Sequence, residues 1–212
     1  MDTMLQTIFD NVIEGNKNEV ETAVRDALAA GVPPEILLNT GLISAMEEVG
    51  KRFEMGEFYV PEMLIAARAM QSGLSCLKPS LIKSGIQAKG KVIMGTVQGD
   101  LHEIGKNLVA TMLEGAGFEV IDLGTDVPAE KFIAAVKESQ PNLIGMSALL
   151  TTTMQNMSKT IQALKEAGAL DKVKVIVGGA PVTEKFSQEI GADGYAPDAS
   201  RAVALAKRLI FK

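Results

Sequence analysis

The chain has one histidine, one cysteine and no tryptophan among its 212 residues. Each scarcity excludes something. A lone Cys76 cannot close an intramolecular disulfide, which suits a reducing compartment such as the cytoplasm. One His and one Cys cannot supply a metal site built from several such ligands. A Ser-His-Asp or Cys-His hydrolase would have to use His102. Basic charge is not in excess: 21 Lys+Arg against 26 Asp+Glu leaves −5, which weighs against a general nucleic-acid binder. No apolar run approaches the roughly 18 residues of a membrane span. The segment Met1-Asp2-Thr3-Met4 lacks the basic region and apolar core of a signal peptide. With 47% hydrophobic and 22% charged residues, the composition is that of an ordinary soluble globular protein.

What is present falls into two parts of different character. Residues 1–88 read as up to four helices with short links, a small bundle. Asn16 and Glu19 have capping-box spacing, and Gly31 ends that helix. Pro33 and Pro34 suit the first turn of the next one. Leu38, Leu42, Met46, Val49 and Phe53 recur at helical steps until Gly56. Pro61 opens a further helix with a Met63, Ala67, Met70, Leu74, Leu77 stripe, and Lys78–Gly90 reads as a linker. Residues 89–212 alternate strand and helix. Strands are expected at Lys91–Thr96, Phe118–Asp122, Asn142–Ser147, Lys172–Val177 and, more weakly, Ala192–Tyr195. Helices are expected at Ile104–Glu114, Ala129–Ser139, Thr153–Ala167, Val182–Ile190 and Ala199–Phe211. The expected fold class is therefore α/β: an N-terminal helical bundle (1–88) and a C-terminal Rossmann-like, flavodoxin-like domain (89–212) with a five-stranded parallel sheet. All the excess negative charge sits on the helical part, as a solvated surface or as an electrostatic docking face.

Ligands of open α/β sheets bind at the carboxyl ends of the strands. The loop after the first strand, Val97-Gln98-Gly99-Asp100-Leu101-His102-Glu103-Ile104-Gly105, holds the only histidine. Asp100 is close enough to orient its ring, which would fix one tautomer and free the other nitrogen for a metal. Gly99 and Gly105 would allow tight turns beside it. The plainer reading is a surface-loop histidine with Asp100 as a helix cap. The third strand leads into Ser147, Leu149, Thr151 and Thr153, where Thr153 could equally be an N-cap. The fourth leads into Gly178-Gly179-Ala180-Pro181, a glycine-rich turn or a bare wall for a bulky ligand, and the fifth into Tyr195-Ala196-Pro197-Asp198. No Gly-x-Gly-x-x-Gly or Walker A loop occurs. Ser147 stands where a receiver domain would carry its acceptor aspartate.

Asp100-x-His102-x-x-Gly105, Ser147-x-Leu149 and Gly178-Gly179, in order after the first, third and fourth strands, resemble the three-part signature of cobalamin-binding domains. Phe53-Glu54-Met55-Gly56-Glu57-Phe58-Tyr59-Val60-Pro61-Glu62, followed by Ala66–Met70, resembles the helical cap of methionine synthase. Together they cover nearly the whole chain. The likeness is to the stand-alone corrinoid proteins of methyltransferase systems that use methanol, methylamines, methoxylated aromatics or betaines. It implies a methyl carrier that binds cobalamin (methylcobalamin when loaded), with His102 as lower ligand of the cobalt in place of the cofactor's own base. It implies that Asp100 hydrogen-bonds the His102 ring and that Thr153, where methionine synthase has serine, completes the relay. Ser147, Leu149, Gly178 and Gly179 would line the slot for the displaced nucleotide tail, with Thr151, Ala180 and Tyr195 in the same pocket. Phe53 and Val60 would shield the upper face of the corrin, Val60 replacing a leucine. Taken alone, Phe53 reads as a core aromatic.

The corrin ring brings four equatorial nitrogens, so one histidine is enough; the cofactor carries the reactivity. The implied partners are a substrate-specific methyltransferase and an acceptor methyltransferase of tetrahydrofolate or coenzyme M type, with a reductive activator, and neither nucleic acid nor membrane. The cap would move aside at each transfer, the 78–90 linker permitting it. Three other readings carry less weight. A cobalamin-dependent regulator or light sensor would bring a basic DNA-reading domain. An adenosylcobalamin mutase subunit would not tolerate a closed cap. A scaffold with an empty pocket would not fill every signature position.

Overall fold

The computed structural model describes residues 3–85, 88–171 and 173–211. The chain divides into two compact units, Met1–Ala88 with Gly115–Gly117, and Lys89–Glu114 with Phe118–Lys212. The first unit is helical among its described residues: α1 (Thr3–Glu14), α2 (Lys17–Ala29), α3 (Pro34–Ile36), a π-helical stretch (Leu37–Ile43), α4 (Ser44–Glu54) and α5 (Val60–Lys83). Its core is built from Ile8, Val12, Val20, Val24, Leu37, Leu42, Met63 and Met70, all buried.

Three local expectations fail here. Asn16 is the N-cap of α2 but makes no capping bond; its amide donates instead to Asn11 and Glu14. The expected apolar stripe from Leu38 slips because Leu37–Ile43 is π-helical, with bonds five residues apart rather than four. Leu37 and Leu42, five apart, are fully buried, while Leu38 is only partly so. The expected linker at Lys78–Gly90 is in its first part the end of α5, which continues through Pro79 to Lys83. Buried Leu77 and Leu81 hold that last stretch against the core, which outweighs the hydrogen bond proline removes. Residues 86 and 87 of that segment lie outside the described residues, as does Lys172 at the start of the expected fourth strand.

The second unit follows the alternation in the sequence: β1 (Lys91–Thr96), α6 (Ile104–Gly115), β2 (Glu119–Asp122), α7 (Ala129–Ser139), β3 (Leu143–Ser147), α8 (Thr151–Glu166), β4 (Lys174–Gly178), α9 (Glu184–Glu189), β5 (Gly194–Tyr195) and α10 (Ala199–Ile210). The five described strands form one parallel sheet in the order β2-β1-β3-β4-β5. The strand order reverses between β1 and β3, the switch point where such sheets take ligands. The register aligns the strand ends there. Thr96 pairs with Ser147, and Ser147 with Gly178, so the ends of β1, β3 and β4 lie in one row.

The central strands are buried on both faces, as their continuous apolar runs require. Ile93, Ile144, Val175 and Val177 join Phe132, Met157 and Leu164 in one core cluster. The Phe132 ring lies against Gly95 of β1, where an added Cβ would come within 2.7 Å of it. Among the described residues, no helix is long and apolar enough to cross a membrane. Truncating this fully buried ring (Phe132→Ala) is expected to cost about 3–5 kcal/mol, read from urea denaturation followed by circular dichroism.

Candidate functional site

Beyond Thr96 the chain leaves β1 through a tight turn. The Val97 N–H bonds the Ser147 carbonyl at 3.0 Å, and the Asp100 N–H closes back on the Val97 carbonyl at 3.1 Å. Gly99 adopts φ +83° between them, a conformation that glycine takes at no steric cost. The turn sends the Asp100 side chain inward, where it is 0% exposed.

There the carboxylate collects five donors. Oδ1 accepts the His102 ring nitrogen Nδ1 at 2.8 Å and the His102 N–H at 3.1 Å. Oδ2 accepts the N–H groups of Leu149 (2.8 Å) and Leu150 (3.2 Å) and the Thr153 hydroxyl (2.6 Å). Leu150 is the N-cap of α8, so the charge also sits at the positive end of that helix dipole. Burial opposes ionisation of Asp100. The hydrogen bonds from Thr153, Leu149 and His102 outweigh it and hold this carboxyl well below the ordinary carboxylate range.

An ionised carboxylate can only accept, so the proton shared with His102 belongs to Nδ1. In the neutral ring this leaves the lone pair on Nε2. The His102 side chain is half exposed, at 51%. Leu101 and Ile104 beside it are 72% and 86% exposed, an apolar apron that water alone would not favour. Among the described residues no group of three His, Cys, Asp or Glu side chains converges as a metal cage. A single oriented imidazole instead suits a metal whose other positions are filled by its own ring.

The expected wall lies along the same row of strand ends. Ser147 is half-buried, Leu149 is 42% exposed and Thr151 is exposed on the first turn of α8. Gly179 has φ +122°, and a Cβ there would fall 1.9 Å from the Ala148 carbonyl oxygen, so only glycine fits. At Gly178 a Cβ would meet the Ala196 carbonyl oxygen at 2.9 Å. Ala180 is exposed and Tyr195 half-buried on β5. One expectation fails here and one open alternative is decided. Gly105 makes no special turn; it is an ordinary residue of α6 with open space above its Cα. Thr153 is not the N-cap of α8, and its hydroxyl serves Asp100. Phe53 and Val60 belong to the helical unit: Phe53 is half-buried near the end of α4, and Val60, 39% exposed, begins α5.

No sequence motif marks the loop after β2, Thr96 or Lys106, yet all three bear on the site. Thr96 is 0% exposed and donates its hydroxyl to the His102 carbonyl at 2.8 Å. Lys106 is buried on α6 and pairs with Asp122. A threonine at a strand end and a lysine at a core position have no local pattern that would distinguish them.

Two family models match the chain. Each is described as a B12 binding domain, one over residues 90–204 and the other over residues 4–78. The chain is 46% identical to dimethylamine corrinoid protein 3 of Methanosarcina acetivorans, over 98% of this chain and 97% of that protein. It is 48% identical to the trimethylamine corrinoid protein of Methanosarcina barkeri, over 88% of this chain and 87% of that protein. Among solved structures, the methanol:cobalamin methyltransferase complex MtaBC of Methanosarcina barkeri contains a chain that superposes with a TM-score of 0.89 at 32% identity, covering 99% of this chain and 80% of that one.

The depressed carboxyl makes a pH-dependent prediction. A group whose folded pKa lies below its unfolded value of about 3.9 stabilises the fold above that value, and loses this contribution as pH falls toward the folded pKa. Asp100→Asn is therefore expected to cost about 1–3 kcal/mol at pH 7, through imperfectly matched buried donors. The gap between wild type and variant should narrow between about pH 4 and pH 2, which urea titrations at stepped pH would show.

Proposed function

The chain belongs to the B12-binding corrinoid proteins of methyltransferase systems, and on that footing we propose that it is a methyl carrier that holds cobalamin with the cofactor's own base displaced and His102 in its place. The observation that carries the reading is the Asp100–His102 pair at the sheet's switch point, with Nδ1 engaged and Nε2 free. When bound, the cobalamin supplies the cobalt centre that accepts a methyl group and gives it up.

The chain's own residues do the rest. Asp100, kept ionised by its five donors, holds the proton on Nδ1 and would so leave the Nε2 lone pair for the metal. Thr153 satisfies the second carboxylate oxygen and ties the first turn of α8 to the ligand loop. Engagement of Nε2 requires that this nitrogen carry no proton, which the Nδ1–H form of the ring meets. Leu101 and Ile104 would give the corrin an apolar seat. Ser147, Leu149, Gly178 and Gly179 would leave a bare slot for the displaced tail, because neither glycine position admits a side chain without a clash. Thr151, Ala180 and Tyr195 flank that slot, and Phe53 and Val60 are the residues of the helical unit assigned to the opposite face of the ring.

The partners in this reading are two: a methyltransferase that presents the donor, and one that presents a tetrahydrofolate or thiol acceptor of coenzyme M type. The likeness to dimethylamine and trimethylamine corrinoid proteins makes a methylated amine the first donor to try. The test is reconstitution with hydroxocobalamin. Wild type should show the visible spectrum of an imidazole-ligated, base-displaced corrinoid. His102→Ala should lose that signature and transfer methyl at least about tenfold more slowly. An unchanged spectrum in His102→Ala would overturn the proposal.

A further inference from the structure

The His102 loop is held from a side that the cobalamin signature does not touch. The connection from β2 to α7 runs directly alongside it. The Asp126 N–H donates to the Asp100 carbonyl at 2.9 Å, and the Asp126 carboxylate accepts the Gly99 N–H at 2.7 Å. These reciprocal bonds clamp the turn that carries Asp100. Asp126 holds φ +53°, a left-handed conformation that few non-glycine residues take and that aspartate tolerates better than most. Its neighbour Val127 bonds back to Thr96, and Thr96 in turn bonds the Gly124 carbonyl.

A buried cation fixes the other end of the same connection. The Lys106 side chain is 0% exposed, yet it starts one turn after His102 on α6. Its ammonium pairs with Asp122 and lies 3.8 Å from Glu103. Asp122 also accepts the Gly124 N–H at 2.9 Å. A closed circuit results: Lys106 to Asp122, Asp122 to Gly124, Gly124 to Thr96, and Thr96 through its hydroxyl to the His102 carbonyl. Burying an ammonium is costly, and an apolar side chain of similar volume often stabilises a fold as well or better. The pair is thus better explained by the geometry it enforces than by stability.

We propose that the β2–α7 loop, through Asp126 and through the Lys106–Asp122 pair, is a positioning device that fixes the His102 loop in its ligating geometry before any cofactor arrives. The proposal rests on the methyl-carrier reading and extends it to residues outside the ligand signature. Neither Asp126 nor Lys106 touches the reacting atoms; both act through the backbone of residues 99–102. A ligand loop already ordered loses less freedom when the metal binds, so affinity is raised without a new contact.

The experiment compares Asp126→Gly, which keeps the left-handed backbone and removes the carboxylate, with Asp126→Asn, which keeps an acceptor oxygen. Lys106→Met, which removes the charge and keeps the bulk, is the second variant. In the cofactor-free protein, hydrogen exchange of the His102 amide is read by NMR; in the reconstituted protein, the dissociation constant for hydroxocobalamin. Asp126→Gly and Lys106→Met should speed His102 amide exchange and weaken hydroxocobalamin binding by about tenfold, with Tm and the exchange of β1, β3 and β4 unchanged. Asp126→Asn should restore both readouts. Wild-type exchange and affinity in Asp126→Gly and Lys106→Met would overturn the proposal, as would failure of Asp126→Asn to rescue. If His102→Ala keeps the wild-type visible spectrum with hydroxocobalamin, it is the methyl-carrier reading with His102 as ligand that fails, and the exchange data still decide the clamp.

Discussion

The Asp100 carboxylate is the interaction on which the site depends. It joins the β1 turn that carries it and the His102 ring two residues on to the first turn of α8 some fifty residues later. One oxygen orients the imidazole and the other pins α8. Because every donor favours the charged form, the carboxylate remains an acceptor over the whole physiological pH range. Nδ1 of His102 must then be the donor, and Nε2 is what remains for a metal. In the proposed reading, a buried, fully satisfied carboxylate thereby turns an exposed histidine into a directed ligand.

The fold makes that arrangement inexpensive in entropy. In a parallel sheet of order β2-β1-β3-β4-β5, the loops after β1 and β3 diverge to opposite faces and leave a crevice between them. The register places Thr96, Ser147 and Gly178 in one row, so strand pairing brings the start of the His102 loop, a serine hydroxyl and a glycine pair to one edge. The β2–α7 connection closes the remaining side. Its contacts with the His102 turn are backbone bonds and the Asp126 carboxylate on the Gly99 N–H, with the Lys106–Asp122 pair at its start.

Much of this was legible in the sequence because the signals are local. Continuous apolar runs such as Val92-Ile93-Met94 mark buried parallel strands, and Asp100-x-His102 puts a histidine and its orienting acid in one loop. The rest was not legible because its causes are not local. Pro79 reads as a helix terminator, yet burial of Leu81 carries α5 past it. The π-helical stretch shifts the phase that Leu38 and Leu42 would share in a regular α-helix. Thr96, Lys106 and Asp126 owe their roles to the pairing of β1 with β2, and no spacing in the sequence reports it. Gly105 lies inside α6 with open space where a Cβ would be, so the turn expected of it is absent.

The scarcity of histidine supplies the most direct test of the central claim. Growth on 15N-histidine labels only His102, since the chain has no other. Electron paramagnetic resonance of the reduced, cobalt(II)-loaded protein then reports which nitrogen sits beneath the metal. If His102 is the lower ligand, the threefold nitrogen splitting of the unlabelled protein becomes twofold on labelling. A splitting that stays threefold would mean that the cofactor's own base is the ligand, and would contradict the account.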